Sequence, residues 1–266
     1  MTERHLIDVA GTTIAYSDHG GDGPPTLLVH GITERSEVWQ PVIDRLTTDR
    51  RVLTMDLRGH GASSTGADYS LESMAGDVVA VLQASDTLGS AHLVGHSLGG
   101  MVASAVGAGA PVASIVNVDQ SLRLGSFKAQ LAEAEPALRD PTMFPMVIDG
   151  LFALLGGEMI APEEMARVNG LRAPQHEVVL GVWDLVFSLS EDDINAIIEA
   201  ALAAYVGNDV PYLTIFGVEP EPGYHDWLRG FVANATTDVW PDHGHYPHLV
   251  DPDRFVERVR AFWAAN

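Results

Sequence analysis

A serine between two glycines is the feature of this sequence with the clearest chemical potential. Residues 95–99 read Gly-His-Ser-Leu-Gly, after an apolar run at residues 91–94 and before a helix-like run from residue 100. The G-x-S-x-G pattern requires this context of strand, sharp turn and helix, because the turn exposes the serine hydroxyl and aims the next backbone N–H at the group under attack. The pattern predicts Ser97 as a nucleophile and the Leu98 N–H as a donor to an oxyanion.

A serine hydroxyl needs a base, and three histidines stand close together near the C-terminus, at positions 243, 245 and 248. We predict that His245 is the base, because it follows a strand-like segment and a glycine and precedes the last helix. An imidazole titrates near neutral pH, so it can accept the serine proton and return it to a leaving group. The same histidines suggest a metal cluster, but no carboxylate motif accompanies them. We therefore expect no metal and no cofactor.

Composition limits the setting of this chemistry. The 266 residues are 46% hydrophobic, enough for a large core, and no apolar run reaches the length of about 20 residues that spans a bilayer. The formal charge of −21 opposes nucleic acid and anionic membrane partners and favours a neutral or weakly charged small-molecule substrate. The absence of cysteine and the polar N-terminal residues lead us to expect a cytoplasmic protein. The sequence does not determine the oligomeric state, and a homodimer is one of the possibilities.

The order of elements in the first half of the chain predicts an α/β fold. Residues 6–9 and 12–17 read as an antiparallel hairpin, and apolar strands at residues 26–30, 51–56 and 112–119 alternate with helical patterns, one of them starting at Ser70. Strands that alternate with helices favour a parallel sheet with helices on both faces.

This alternation stops after Asp119 and resumes with a strand at residues 211–217. The intervening segment has little strand character, and runs at residues 146–155 and 194–206 are typical of amphipathic helices. We interpret residues 120–206 as a helical cap, and residues 1–119 and 207–266 as the core. The core ends with a strand at residues 237–240 and a helix from Asp251.

Four motifs in a fixed order resemble the α/β-hydrolase fold family. They are His-Gly at residues 30–31, Asp-Leu-Arg-Gly-His-Gly-Ala-Ser at residues 56–63, the turn around Ser97, and Gly-His-Tyr-Pro-His at residues 244–248. The resemblance covers nearly the whole chain outside the cap and implies a doubly wound, mostly parallel sheet with catalysis at the carboxyl ends of its strands. It also implies that the Ile32 N–H is the second oxyanion donor. Arg58 is expected to form a structural ion pair.

The acid that orients His245 cannot stand at the position that most members of the family use. Most members of the family place an aspartate three residues after the glycine that corresponds to Gly217, and this chain has Pro220 there. A minority of relatives, including haloalkane dehalogenases and zearalenone-type lactonases, uses an acid at the position of Asp119. We predict Asp119, with Glu219 or Glu221 as the alternatives.

The resemblance implies a serine hydrolase that cleaves a carboxylic ester or lactone of an apolar small molecule through an acyl-enzyme, with similarity to zearalenone-type lactone hydrolases. Dehalogenase and epoxide-hydrolase relatives carry aspartate in place of Ser97, which argues against both of those reactions. Alternatives are a C–C bond hydrolase of ring-cleavage diketones, a cofactor-free perhydrolase and a small-ligand receptor on the same fold.

The predicted cap is rich in large apolar residues, which suits the roof of a hydrophobic pocket. Trp183 and Phe187 are one helical turn apart, and we name them as candidate substrate-binding residues. His30 joins this set, although a structural hydrogen-bonding role is its alternative.

Overall fold

A single eight-stranded sheet organises the chain in the computed structural model, which describes residues 2–155 and 159–266. The strands are β1 (Glu3–Val9), β2 (Thr12–Asp18), β3 (Pro25–Val29), β4 (Arg51–Met55), β5 (His92–His96), β6 (Ser114–Val118), β7 (Tyr212–Phe216) and β8 (Ala235–Val239). Their order in the sheet is β1-β2-β4-β3-β5-β6-β7-β8. The pairs β1–β2 and β2–β4 are antiparallel and the other five pairs are parallel, which confirms the leading hairpin and the mostly parallel sheet.

The central strands are apolar along their whole length because both faces of the sheet are covered. Every residue of β6 and β7 is buried. Neighbouring residues on one strand point to opposite faces. Accordingly Leu93 and Ile115 belong to one buried cluster, whereas Val94 and Val116 belong to the cluster on the other side. This arrangement explains why these strands read as continuous apolar runs.

Helices cover both faces of the sheet. They are α1 (Gln40–Leu46), α2 (Leu71–Ala84), α3 (Leu98–Gly109), α9 (Tyr224–Phe231), α10 (Pro247–Val250) and α11 (Pro252–Ala265). Side-chain caps begin two of them, since Ser70 accepts the Ser73 N–H at the start of α2 and Asp251 accepts the Arg254 N–H at the start of α11. The helices predicted to start at Ser70 and Asp251 are thus confirmed. No helix in the described ranges has the length and apolar content needed to cross a bilayer.

Five further helices lie between β6 and β7, where the strand pattern stops. They are α4 (Gly125–Arg139), α5 (Phe144–Leu154), α6 (Pro162–Leu171), α7 (His176–Ser188) and α8 (Glu191–Leu202), and we call them the inserted helices. They confirm the helical character predicted for this segment. Buried residues of the inserted helices, such as Ile148 and Trp183, join the same apolar cluster as Leu27 of the sheet. The division of the chain into a core and a cap at residues 119/120 and 206/207 stays a prediction.

Arg58 makes the structural ion pair that its position predicts. Its guanidinium donates to both carboxylate oxygens of Asp77 on α2, at 2.6 and 2.8 Å, and also to the backbone carbonyls of Asp68 and Ser73. Asp77 is fully buried and only 7% of the Arg58 side chain is exposed. The pair fixes the loop after β4 to α2, because neither charge can be left unpaired there without a large penalty.

We expect Asp77→Asn to lower the free energy of unfolding by about 3 kcal/mol, because it leaves the Arg58 charge buried without its partner. Denaturation in urea measures the loss. Asp253→Asn is the matched control, since Asp253 accepts the same pair of bonds from Arg45 in an exposed position, where such contacts contribute little. Equal losses in the two variants would contradict a special role for the buried pair.

Candidate active site

Ser97 occupies a strained turn between β5 and α3. Its backbone has φ 51° and ψ −122°, a conformation that is costly for a residue with a side chain. The glycines on either side permit the turn, because a Cβ on Gly95 would lie 2.0 Å from the Gly99 carbonyl oxygen and a Cβ on Gly99 would lie 2.2 Å from the Val29 carbonyl oxygen. The predicted strand, turn and helix are therefore present, with Ser97 at the tip of the turn.

The turn after β3 leaves the Ile32 N–H without a partner among the residues that the structure describes. The Gly31 N–H donates to Glu34 Oε2 at 3.0 Å, and the Thr33 N–H donates to His60 Nε2 at 3.1 Å. Between them, the Ile32 N–H has no acceptor within the described residues. Backbone N–H groups are strong donors that rarely stay unpaired when buried, so this group is available to a ligand.

The Leu98 N–H is the second available donor, and it follows Ser97 directly in the chain. Leu98 begins α3, where a backbone N–H has no carbonyl partner in its own helix, and it donates to no other group in the described part of the chain. The two donor segments meet at the serine, because a Cβ on Gly31 would lie only 3.3 Å from Ser97 Cβ. Two N–H groups beside a serine hydroxyl are the arrangement that stabilises an oxyanion.

His245 and Asp119 are in direct contact. His245 Nδ1 lies 2.6 Å from Asp119 Oδ2, and the other carboxylate oxygen accepts the Gly217 N–H at 2.7 Å. A carboxylate only accepts hydrogen bonds, so we assign the imidazole proton to Nδ1, which leaves Nε2 free to act as a base. Within the described residues the Ser97 hydroxyl bonds no protein group, and such catalytic contacts often tighten only when substrate is bound.

The loop after β7 carries the two glutamates that were the alternatives to Asp119. Glu221 lies 2.8 Å from the Arg123 guanidinium. Both Glu219 and Glu221 line a surface depression together with His225 and Asp226, and neither Ser97 nor His245 is among the described residues that border it. The carboxylate that contacts His245 is that of Asp119.

The structure corrects the assignment of His30 as a substrate-binding residue. His30 is fully buried, its Nδ1 lies 2.7 Å from the Gly31 carbonyl oxygen, and its Nε2 accepts the Leu57 N–H at 3.0 Å. Both ring nitrogens thus hold the turn after β3, and no face of the ring is open to a ligand. The sequence could not show which way an imidazole at the end of a strand would point.

Trp183 and Phe187 lie on α7, as the sequence predicted. Their rings pack edge to face with centroids 6.3 Å apart, and Trp183 packs in the same way on Phe127 of α4 at 5.7 Å. Trp183 is 8% exposed and Phe187 is half-buried. Their contact with substrate stays a prediction.

Glu34 is a site residue that the sequence analysis missed. It is 3% exposed, and its carboxylate holds the Gly31 N–H and faces the ring of His96. The only signal was an acidic residue three positions after a glycine, next to an arginine, and charged residues in a loop are usually solvated.

Known proteins with similar sequences are alpha/beta hydrolases. A model of the alpha/beta hydrolase family matches residues 26–258, which is most of the chain. The chain belongs to this family. Among curated members, it is 30% identical to the pimeloyl-[acyl-carrier protein] methyl ester esterase of Pectobacterium carotovorum, over 94% of this chain and 98% of that protein.

Solved structures of alpha/beta hydrolases superpose on nearly the whole chain. An N-acyl homoserine lactone degrading enzyme has 25% identity and a TM-score of 0.76, and the match covers 97% of this chain and all of that one. The Cif epoxide hydrolase from Acinetobacter nosocomialis has a TM-score of 0.80 at 19% identity, with 98% and 88% of the two chains covered. At that identity the second likeness concerns the fold alone.

His60, which accepts the Thr33 N–H in the turn after β3, makes the stability of the fold depend on pH. Burial, reinforced by the neighbouring His30, lowers the pKa of His60 to about 4, whereas an unfolded histidine titrates near 6.5. Between these values the unfolded chain binds a proton that the folded protein does not, so stability is lost as the pH falls through this window.

We expect the wild type to lose up to about 3 kcal/mol more unfolding free energy than His60→Gln between about pH 7 and pH 4. Gln keeps an oxygen that can accept the Thr33 N–H but does not titrate. Urea denaturation of both proteins across this range measures the difference. Parallel curves for the two proteins would show that His60 does not cause acid destabilisation.

Proposed function

We propose that this alpha/beta hydrolase is a serine hydrolase that cleaves a carboxylic ester or lactone of a neutral, largely apolar small molecule through an acyl-enzyme. One observation carries the proposal: Ser97 stands in a strained turn, and near it two backbone N–H groups, of Ile32 and Leu98, have no acceptor in the described part of the protein. A nucleophile flanked by unpaired donors suits attack on a carbonyl group, whose oxygen becomes an anion.

In this mechanism His245 activates the serine. Asp119 holds the Nδ1 proton of His245, so Nε2 accepts the proton of the Ser97 hydroxyl as its oxygen attacks the substrate carbonyl carbon. The imidazolium that forms is stabilised by the adjacent carboxylate. Asp119 keeps its geometry because its second oxygen accepts the Gly217 N–H.

The negative charge that develops on the carbonyl oxygen is received by the N–H groups of Ile32 and Leu98, each of which contributes a few kcal/mol in such sites. His245 then gives its proton to the departing alcohol oxygen, and the C–O bond breaks to leave an acyl group on Ser97. Water, activated by the same imidazole, attacks this acyl group and restores the free serine.

Three of the four arginines of the predicted cap are paired with carboxylates, which supports a neutral substrate. Arg123, Arg139 and Arg167 contact Glu221, Glu135 and Glu164 at 2.8, 2.8 and 2.5 Å. The fourth, Arg172, donates to the hydroxyl of Tyr246. The first three charges are compensated within the protein, and the net charge of −21 repels anions. A C–C hydrolase acting on an anionic diketone finds little support in this arrangement.

The relatives favour ester or lactone chemistry within this proposal, since one is named as a methyl ester esterase and one as a lactone degrading enzyme. Neither name fixes the substrate of this chain. The cytoplasmic location, the homodimer, and the perhydrolase and receptor alternatives stay predictions from the sequence.

We expect the wild type to release nitrophenol from short-chain nitrophenyl esters, and Ser97→Ala to lose nearly all of that rate, because no other nucleophile forms the acyl-enzyme. Ser188→Ala, an exposed serine on α7, is the control and should keep the wild-type rate. A wild type inactive on esters and lactones, or a Ser97→Ala variant that keeps its activity, would refute the proposed function.

We expect Asp119→Asn to fold normally but to lower turnover roughly 10²- to 10⁴-fold, as loss of control over the histidine tautomer does in other triads. Glu219→Gln and Glu221→Gln should each change turnover by less than about tenfold. Steady-state kinetics on one ester ranks the three variants. The opposite ranking would move the acid to the loop after β7.

A further inference from the structure

His96, the residue before the proposed nucleophile, has both ring nitrogens against acceptors. Its Nε2 lies 2.8 Å from the His245 carbonyl oxygen, and its Nδ1 lies 3.4 Å from Glu34 Oε2. A carbonyl oxygen cannot donate, so Nε2 carries a proton. Nδ1 faces the carboxylate of Glu34, so Glu34 and His96 form a buried polar link.

Burial makes this link rigid. Glu34 is 3% exposed and His96 is 1% exposed. Burial alone would raise the pKa of Glu34, but the His96 imidazole beside it, and at longer range His30 and Arg172, lower the pKa well below its usual range. In a site that excludes water, neither partner can exchange its contact for solvent without cost.

The same two side chains contact all three segments that carry the proposed catalytic groups. Glu34 Oε2 also accepts the Gly31 N–H at 3.0 Å and so holds the turn that presents the Ile32 N–H. His96 belongs to the turn of Ser97, and its Nε2 holds the backbone of His245. The centroid of the His96 ring lies 4.7 Å from the centroid of the His245 ring, so the link is in contact with the proposed base.

We infer that Glu34 and His96 are positioning residues, which through one bridge fix the oxyanion turn, the serine turn and the histidine loop relative to one another. This inference rests on the proposed function. Neither residue reacts with substrate. Their effect on rate comes through the placement of the Ile32 N–H and the His245 imidazole, where an error of about 1 Å costs about 10²-fold in rate.

The packing around Gly31 supports this close coupling. A Cβ on Gly31 would lie 3.1 Å from both Glu34 Oε2 and His96 Nδ1, tighter than most real contacts of this kind. The backbone at Gly31 is therefore tightly packed against the side chains of Glu34 and His96. A change in either bridging side chain is transmitted to the backbone that carries the oxyanion donor.

The test is a set of variants assayed on one nitrophenyl ester at a temperature where each is fully folded. Glu34→Ala and His96→Asn should each lower kcat about 10²-fold while KM changes by less than about threefold, because the bridge acts on groups that work in the transition state. Glu34→Gln should lose less than Glu34→Ala, since its amide oxygen can take the place of Oε2 and accept the Gly31 N–H, although it leaves His96 without a charged partner.

The double variant Glu34→Ala/His96→Asn is decisive. If both side chains act through one bridge, its kcat should match that of the worse single variant and not the product of the two losses. His92→Asn is the matched control, because His92 lies on the same strand, bonds Ser114, and should keep the wild-type kcat.

Multiplied losses of about 10⁴-fold in the double variant would overturn the inference. So would a loss that appears only in KM, a Glu34→Gln variant as impaired as Glu34→Ala, or an equal loss in His92→Asn. If the wild type hydrolyses no ester, or Ser97→Ala keeps full activity, the proposed function itself fails and this inference falls with it. The rates of the wild type and Ser97→Ala, measured in the same series, therefore distinguish a failure of the proposed function from a failure of this inference.

Discussion

The hydrogen bond between Asp119 and His245 is the contact on which the rest of the site depends, and it requires three strand ends to meet. Asp119 follows β6 and accepts the N–H of Gly217, which follows β7. Gly217 in turn lies against Gly244 in the loop after β8, where a Cβ on Gly217 would be only 1.8 Å from the Gly244 carbonyl oxygen. Since Gly244 precedes His245, this close approach of two glycines brings the imidazole to the carboxylate.

The site concentrates backbone strain at the carboxyl ends of three strands. Thr33 after β3, Ser97 after β5 and Asp119 after β6 have φ values of 66°, 51° and 52°, in a region that side chains disfavour. Each such residue costs about 1–3 kcal/mol and persists only where the surroundings determine its conformation. Fully buried parallel strands hold these conformations, so the packing of the sheet fixes the positions of Ser97, the turn at Thr33 and Asp119.

The sequence predicted the fold and the turn around Ser97 because those features leave patterns. Continuous apolar runs mark strands that are covered on both faces, and two glycines around Ser97 mark a turn that only glycines allow. Asp119 followed from a family resemblance together with Pro220, which removes the usual acid. The predicted strand at residues 112–119 is shorter in the structure, Ser114–Val118, since Asp119 leaves the extended conformation to reach His245.

Contacts between distant loops leave no such pattern. Glu34 and His96 are 62 positions apart, and nothing in the spacing of either residue indicates that they meet. His30 was misassigned for a related reason: its role depends on the Leu57 N–H, which the sheet and not the local sequence brings within reach. The contacts of the inserted helices with substrate depend on side-chain packing that periodicity cannot specify.

The central claim is that Ser97 forms a covalent acyl intermediate, and mass spectrometry tests it most directly. Brief exposure of the wild type to nitrophenyl acetate, followed by acid quenching and peptide mapping, should find the mass of one acetyl group on the peptide that contains Ser97. The Asp119→Asn variant should acquire the same acetyl group more slowly. Nitrophenol release without an acetyl group on Ser97, or with the acetyl group on another residue, would contradict the account.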